Sequence, residues 1–514
     1  VGENTQSAAQ EIAAGYATEG AALELGAVVV DGQVDPSARV RIPFATLNRH
    51  GLVAGATGTG KTKTLQGLAE QLSAAGVPVL LADVKGDLSG LARPGEDGPK
   101  IQSRAKDTGD DWVGTGFPVE FLSLGGESSA VPIRATITQF GPILLSKVLD
   151  LNDTQESTLG LIFHWADQRN LPLLDTKDLR AVIQHLTSDE GKADLKVIGG
   201  VSAATAGVIL RALVNLEAQG GEDFFGEPEF EPADLLRQVD GKGVVTLVEL
   251  ADQAANPKLF STFLMWLLAE LYEDLPEAGD LDKPKLVFFF DEAHLLFTDA
   301  SKAFLERIEQ TVKLIRSKGV GVFFCTQLPT DVPNAVLSQL GARVQHALRA
   351  FTPEDQKALT KTVKTYPTSK VYDLEEALTT LGTGEAVVTV LSERGAPTPV
   401  AWSRMRAPRS LMAAIGGQAV TEAAKASPLY GKYGVTIDRE SAYEKLTAKI
   451  AEAAPPPAPE AAPAPEPERR REEREEPGMV TQILNSPAAK SFMRSMATQL
   501  GREITRGLFG TRRR

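Results

Sequence analysis

The stretch GLVAGATGTGKTKTLQGLAEQL, Gly51–Leu72, opens with an apolar run, turns through glycines and continues as an amphipathic segment. Within it Gly55, Ala56, Thr57, Gly58, Thr59, Gly60, Lys61 and Thr62 fit the pattern G-x-x-x-x-G-K-[ST]. A loop with so few bulky side chains lets successive backbone N–H groups curl around an anion, and a helix that follows turns its positive end toward the same place. GLVAG reads as a buried strand, Lys61–Ala75 as a helix stopped at Gly76, and Val77–Asp83 (VPVLLAD) as a second apolar strand. Strand, loop, helix and strand make a βαβ unit, and uninterrupted apolar strands predict a parallel sheet covered on both faces. The guest this predicts is the phosphate chain of a nucleotide. Lys61 would reach the β- and γ-phosphates as a point charge, and Thr62 would ligate Mg²⁺ by its hydroxyl. Gly55, Thr57, Gly58, Thr59, Gly60 and Lys63 complete the expected nucleotide-binding set.

A second element strengthens that expectation. LVFFFDEAH, Leu286–His294, sets Asp291 and Glu292 at the C-terminal end of an unbroken apolar strand, where open α/β sheets hold their ligands. Asp291 is suited to hold Mg²⁺ through water, and Glu292 to polarise the attacking water. A carboxylate beside the metal aspartate argues for a hydrolase rather than a kinase. Gln327 follows the next apolar strand, Gly319–Thr326, and its amide is expected to sense the γ-phosphate. Charge developing on the phosphoryl group calls for a further cation, often supplied by a neighbouring subunit. Arg316 is the first candidate, Arg349 the second, and Arg343 ranks behind both.

At 514 residues and 42% hydrophobic content, the chain can bury a substantial core. No apolar run reaches eighteen residues, and Val1–Gly20 lacks the basic start and apolar centre of a signal peptide, so neither a membrane span nor export is expected. The single cysteine, Cys325, cannot form an intramolecular disulfide; it reads as a buried core thiol in a cytoplasmic protein. Five histidines without a metal-pair spacing offer no zinc site, and His50 reads as a packing or capping residue. His294 is expected to bridge strand and helix. Asp83 and Asp87 lie at the tip of the second strand with no role assigned. The net charge of −13 argues against a body that coats nucleic acid broadly, so any such contact is local, at a pore or groove.

Along the chain, residues 1–48 carry a short N-terminal β-element, with strands at Gly26–Val30 and Ala38–Pro43 flanking the turn DGQVDPS. Residues 49–90 and 240–404 form the α/β core, and 91–239 a largely helical inserted subdomain. A helical extension covers 405–450. Residues 451–478 are a disordered linker rich in Pro, Ala and Glu, whose composition cannot bury a core. The tail, 479–514, carries Lys490, Arg494, Arg502, Arg506 and Arg512, Arg513 and Arg514 against Glu503, with Phe492, Met496 and Leu500 four apart. It reads as a basic amphipathic helix able to dock on a partner protein, nucleic acid or a membrane surface.

NRHGLVAGATGTGKT, LLADVKGD, FFFDEAH, FFCTQLPTDVP and RVQHALRAFTPEDQKAL, in that order over about Arg41–Arg404, together resemble the HerA-like P-loop ATPases of the FtsK–HerA superfamily, and within them the bacterial YjgR-type group. The resemblance implies a RecA-like core, a ring-shaped homo-hexamer, ATP hydrolysed between subunits with Mg²⁺, and force applied to DNA in a central pore. It also matches Arg316, eleven residues before Gln327, to an arginine finger acting in trans. The membrane spans of some relatives and the long N-terminal barrel of others have no counterpart in the motif-bearing stretch. A DEAH-type helicase of two RecA-like domains is disfavoured, because no closing Q-x-x-G-R-x-G-R motif occurs. LSLGGES, Leu122–Ser128, only approximates the ABC signature. The alternative of a different class is a nucleotide-switched scaffold that does not act on DNA.

Overall fold

The computed structural model describes residues 2–453, apart from 84–85, 126–128, 198, 250–256 and 280. The linker from residue 454 onward and the basic tail therefore lie outside the described residues. The chain begins with α1 (Gly2–Ala14), then β1 (Ala22–Val30), β2 (Gln33–Pro43), β3 (Gly51–Ala54), α2 (Lys61–Ala74) and β4 (Val79–Asp83). It continues through α3 (Pro99–Thr108), β5 (Val119–Leu124), β6 (Val131–Ile133) and five helices, α4 (Ile137–Val148), α5 (Asp153–Gln168), α6 (Thr176–Thr187), α7 (Lys192–Val197) and α8 (Ala203–Ala218). A small hairpin, β7 (Gln238–Val239) and β8 (Lys242–Gly243), leads to β9 (Val245–Glu249), α9 (Pro257–Asp274), β10 (Leu286–Phe290), α10 (His294–Phe297), α11 (Lys302–Ile315) and β11 (Val320–Thr326). After α12 (Asn334–Leu337) come β12 (Ala342–Gln345), α13 (Pro353–Val363), α14 (Leu374–Thr380), β13 (Glu385–Thr389) and β14 (Ala401–Met405), and then α15 (Gly417–Ala426), α16 (Pro428–Tyr433) and α17 (Ala442–Ala453).

Among the described residues, twelve strands form one sheet in the order β2-β1-β14-β13-β12-β3-β11-β10-β4-β9-β5-β6. From β12 to β6 every neighbouring pair is parallel, while β13, β14, β1 and β2 close the other side antiparallel. Side chains alternate across a strand, and the two cores follow that period. Leu80, Phe288, Phe290 and Phe324 face one core, which holds α9, α11 and the five inserted helices. Leu81, Val287, Phe289, Phe323 and Cys325 face the other, which also holds Leu65, Leu68 and Leu72 of α2 and, over β1 and β2, Ala9 and Ile12 of α1. The inserted helices start cleanly: Asn152 and Gln155 form a capping box at α5, satisfying N–H groups that the first turn leaves unpaired.

The structure differs from the sequence reading in the placing of the N-terminal strands, in their turn and in the inserted stretch. The N-terminal strands are not a separate element: β1 pairs with β14 and joins the main sheet. Their turn is also tighter than DGQVDPS, because Asp31 and Gly32, at φ 51° and 74°, make the two-residue turn that matches strand twist, so β2 starts at Gln33. Within the stretch read as an insertion, β5 and β6 extend the sheet beside β9, and the chain leaves the sheet only after Ile133.

Candidate functional site

The glycine loop joins β3 to α2, and β3 sits between β12 and β11 in the parallel half of the sheet. Gly55, Gly58 and Gly60 adopt φ of 151°, 80° and 115°, values that residues with a Cβ avoid. A Cβ on Gly58 would meet nothing within 4 Å, so the loop is open to a guest on that side. The first turn of α2 has no side-chain cap and no acidic residue, which leaves its N–H groups and positive dipole end to an anion. The Lys61 ammonium lies back on the loop, donating to the Gly55 carbonyl at 2.5 Å and the Ala56 carbonyl at 3.2 Å. Thr59, largely buried, closes the turn through its hydroxyl on Ala56 O at 2.7 Å. Thr62 is half-buried in the first turn of α2, and Thr57 is exposed at the loop's tip.

Asp291 and Glu292 follow β10, two strands from the loop, with β11 between. The Glu292 N–H donates to Asp291 Oδ1 at 2.9 Å, which orients the aspartate. Glu292 itself has φ of 48°, a left-handed conformation that costs a side chain about 1 kcal/mol or more and recurs at functional sites. His294 Nδ1 stands 3.5 Å from its Oε2, so the expected bridge between strand and helix meets the glutamate directly. Cys325, on β11, is buried as expected, and burial pushes its thiol up; Asp291 adds to the effect and Lys61 opposes it. The thiol therefore lies within the field of both, between the loop and the acidic pair.

Gln327 leaves β11 exposed and borders a cleft of about 460 Å³ with His294, Phe297, Leu328, Thr330 and Asp331. Its turn is fixed by Asp331, which accepts from the Thr326 hydroxyl at 2.6 Å and the Leu328 N–H at 3.0 Å. The tips of β3, β10 and β11 thus gather Lys61, Thr62, Asp291, Glu292 and Gln327 at one end of the sheet. This donor set fits a Mg²⁺-nucleotide: a hydroxyl and a carboxylate for a hard cation, and an ammonium with bare amides for phosphate.

The remaining candidates separate. Lys63 turns away from the loop to Gln66 Oε1 and the Met412 carbonyl, both at 3.1 Å. Arg349 is exposed and donates to Thr57 O of the loop in the same chain at 3.2 Å. Arg343 is held by the carbonyls of Thr365 and Leu337. Arg316 is exposed just before β11, at the end of the sheet opposite the loop. A seven-residue strand, at ~3.3 Å per residue, puts roughly 20 Å between it and its own site. Asp83 is explained by structure: its carboxylate accepts from the N–H groups of Asp87 and Leu88. His50 packs under β11, Nε2 on Val312 O at 2.7 Å and Nδ1 accepting from the Val322 N–H at 3.0 Å.

Two features escape a reading of the sequence. One is His346, buried directly beneath the loop. The other is the segment after β14, which lies along α2: Gln66 donates to Ser410 Oγ at 2.7 Å and to Leu411 O at 3.0 Å, while Arg406 and Arg409 pair with Asp110. Nothing periodic marks these residues, because their partners are far along the chain.

The family model described as helicase HerA-like C-terminal matches residues 29–514. No curated protein matches in sequence. Among solved structures, the bacterial conjugative coupling protein TrwB lacking its first 70 residues, in a trigonal form with sulphate, is similar at a TM-score of 0.51 and 16% identity, over 79% of this chain and 95% of that one. The unbound monoclinic form gives 0.50 and 17%, over 79% and 93%. Plasmid coupling protein TrwB in complex with ADP and Mg²⁺ gives 0.50 and 15%, over 78% and 94%. At such identities the likeness concerns the fold: a RecA-like P-loop α/β core. Among the described residues no helix is long and apolar enough to cross a membrane.

Proposed function

The chain belongs to the helicase HerA-like C-terminal family, and we propose that it is an ATP-hydrolysing ring motor, a DNA translocase or helicase that works in the cytoplasm as a homo-hexamer. The observation that carries this reading is the convergence of the glycine loop, with Lys61 and Thr62, and the Asp291–Glu292 pair on the tips of strands separated only by β11. Lys61 and the loop amides bind the triphosphate. Thr62 and Asp291 would hold Mg²⁺, which would neutralise phosphate charge when bound. Glu292 orients the attacking water, and Gln327 reads the γ-phosphate. The solved complex of the coupling protein with ADP and Mg²⁺ supports this choice of ligands. Arg316, remote from its own loop, fits an arginine delivered across a subunit interface, whereas Arg349 acts in cis on the loop.

The net charge of −13 favours a second reading, in which nucleotide opens and closes an oligomeric scaffold that does not touch DNA and whose basic tail recruits a protein. Steady-state ATP hydrolysis by the full chain, with and without single- and double-stranded DNA at low salt and with Glu292→Gln as control, separates the two. Stimulation by one DNA form supports the motor. Hydrolysis indifferent to DNA would leave the scaffold.

A further inference from the structure

β12 ends at Gln345, and the next residue, His346, is fully buried under the phosphate loop. Its ring makes two directed contacts. Nδ1 lies 2.8 Å from the Glu385 carbonyl on β13, and Nε2 lies 2.9 Å from the Thr64 hydroxyl on α2. A carbonyl only accepts, so Nδ1 carries the proton; Nε2 is then the acceptor, and Thr64 donates to it. The backbone around His346 is tied to the loop as well. Its N–H donates to Ala54 O at 2.7 Å, and Ala347 O accepts from the Ala56 N–H at 2.9 Å.

The glycines record the same closeness. A Cβ on Gly55 would lie 2.5 Å from His346 Cβ, and one on Gly60 would lie 3.6 Å from the ring's Cε1 and 3.1 Å from Gly384 N. Gly384, preceding β13, donates its N–H to Thr59 O at 3.0 Å. The imidazole thus fills the space between the two glycines that bound the loop, and its polar atoms face α2 on one side and β13 on the other. A mere filler would need volume alone. Here a buried acceptor and a buried donor are both matched, which fixes the ring's orientation and the Thr64 rotamer together.

We propose that His346 is the positioning residue of the phosphate loop: protonated on Nδ1, it holds Thr64, and through it the first turns of α2, against β13, and so sets the affinity of Gly55–Thr62 for a triphosphate. This rests on the ATPase reading above, so the experiment measures binding of Mg²⁺-ATP directly, with Lys61→Ala as its reference. Wild type that binds while Lys61→Ala does not upholds the reading; wild type that fails to bind overturns both.

Given binding, His346→Leu keeps the volume without the polar contacts and is expected to weaken affinity about tenfold or more, the size of a lost buried hydrogen bond. His346→Gln, whose amide oxygen can still accept from Thr64, should stay within about threefold of wild type. Thr64→Val should weaken binding as His346→Leu does, and the double variant should be no worse than either, because the two side chains act as one unit. Unfolding midpoints are read alongside, and if His346→Leu does not fold, His346→Gln and Thr64→Val alone decide. Wild-type affinity in His346→Leu, additive effects of the pair, or loss in His346→Gln equal to that in His346→Leu would each overturn the proposal.

Discussion

Glu70 holds Ser410: from the middle of α2, its Oε1 accepts the Ser410 backbone N–H at 2.8 Å, while Oε2 takes the Arg409 N–H at the same distance. The carboxylate is 4% exposed, and burial raises its pKa against the three donors that favour its charge. The helix that carries the phosphate loop is thus tied to the segment leading from β14 to α15–α17. Glu70→Ala would strand the buried Ser410 N–H at about 1–3 kcal/mol and leave the part-buried Arg409 N–H without this partner. The expected result is an unfolding midpoint well below wild type in urea, with Glu70→Gln in between because an amide oxygen still accepts. Equal midpoints for Ala and wild type would mean that the segment is held by its other contacts.

Arg316 and Lys61 occupy opposite ends of the sheet, so one subunit cannot bring them to the same phosphate. Each of Arg316→Ala and Lys61→Ala should abolish most hydrolysis alone. Mixed before assembly, they should recover activity if the chain forms the ring proposed above, because an intact loop on one subunit would then meet an intact arginine on the next at about a quarter of the interfaces. A mixture as inactive as its components sinks the role of Arg316 in trans.

How far the sequence went depends on whether the information was local. The loop's glycines, lysine and threonine are contiguous, and the acidic pair ends an apolar run, so both were legible. The parallel half of the sheet followed from the same runs. Helix α1 is not legible in the sequence, since Ala9, Ile12 and Tyr16 bury a face of an otherwise polar segment only because β1 and β2 lie beneath it. Lys63 neighbours the loop in sequence, yet one helical step of about 100° turns it from the loop to Met412. His346 has no legible role in sequence: a lone histidine after a strand says nothing until β13, which starts 39 residues later, returns beside it.

Glu292 combines a catalytic assignment with a backbone strain, and the two make separable predictions. Glu292→Gln keeps shape and hydrogen-bonding length, so Mg²⁺-ATP should still bind while hydrolysis falls at least about 100-fold. Glu292→Gly also loses hydrolysis but removes the cost of φ 48°. Despite glycine's greater unfolded-state entropy of roughly 0.5–1 kcal/mol, its unfolding midpoint should match or exceed wild type. A clear loss of stability in Glu292→Gly would show that the side chain's contacts, not catalysis, keep glutamate there.

His50 supplies a pH test far from the loop. Burial, with Arg316 adding repulsion, lowers its pKa to about 4, although the Val312 carbonyl opposes the shift. An unfolded histidine titrates near 6.5. Between those values the unfolded chain takes a proton that the folded chain refuses, so stability is complete above pH 6.5 and declines as pH falls toward 4. At about 1.4 kcal/mol per pH unit, the loss attributable to this one ring reaches roughly 3 kcal/mol. Carboxylates titrate in the lower part of the same window, so the informative quantity is the difference from His50→Leu. That variant leaves the Val322 N–H and the Val312 carbonyl without the ring and should be less stable than wild type at pH 7.5. The gap should then narrow steadily between pH 6.5 and 4.5, because only wild type has the proton linkage to lose. Urea midpoints of both proteins at four or five pH values measure it. A gap that stays constant would mean that the folded protein accepts the proton on His50 as readily as the unfolded chain does.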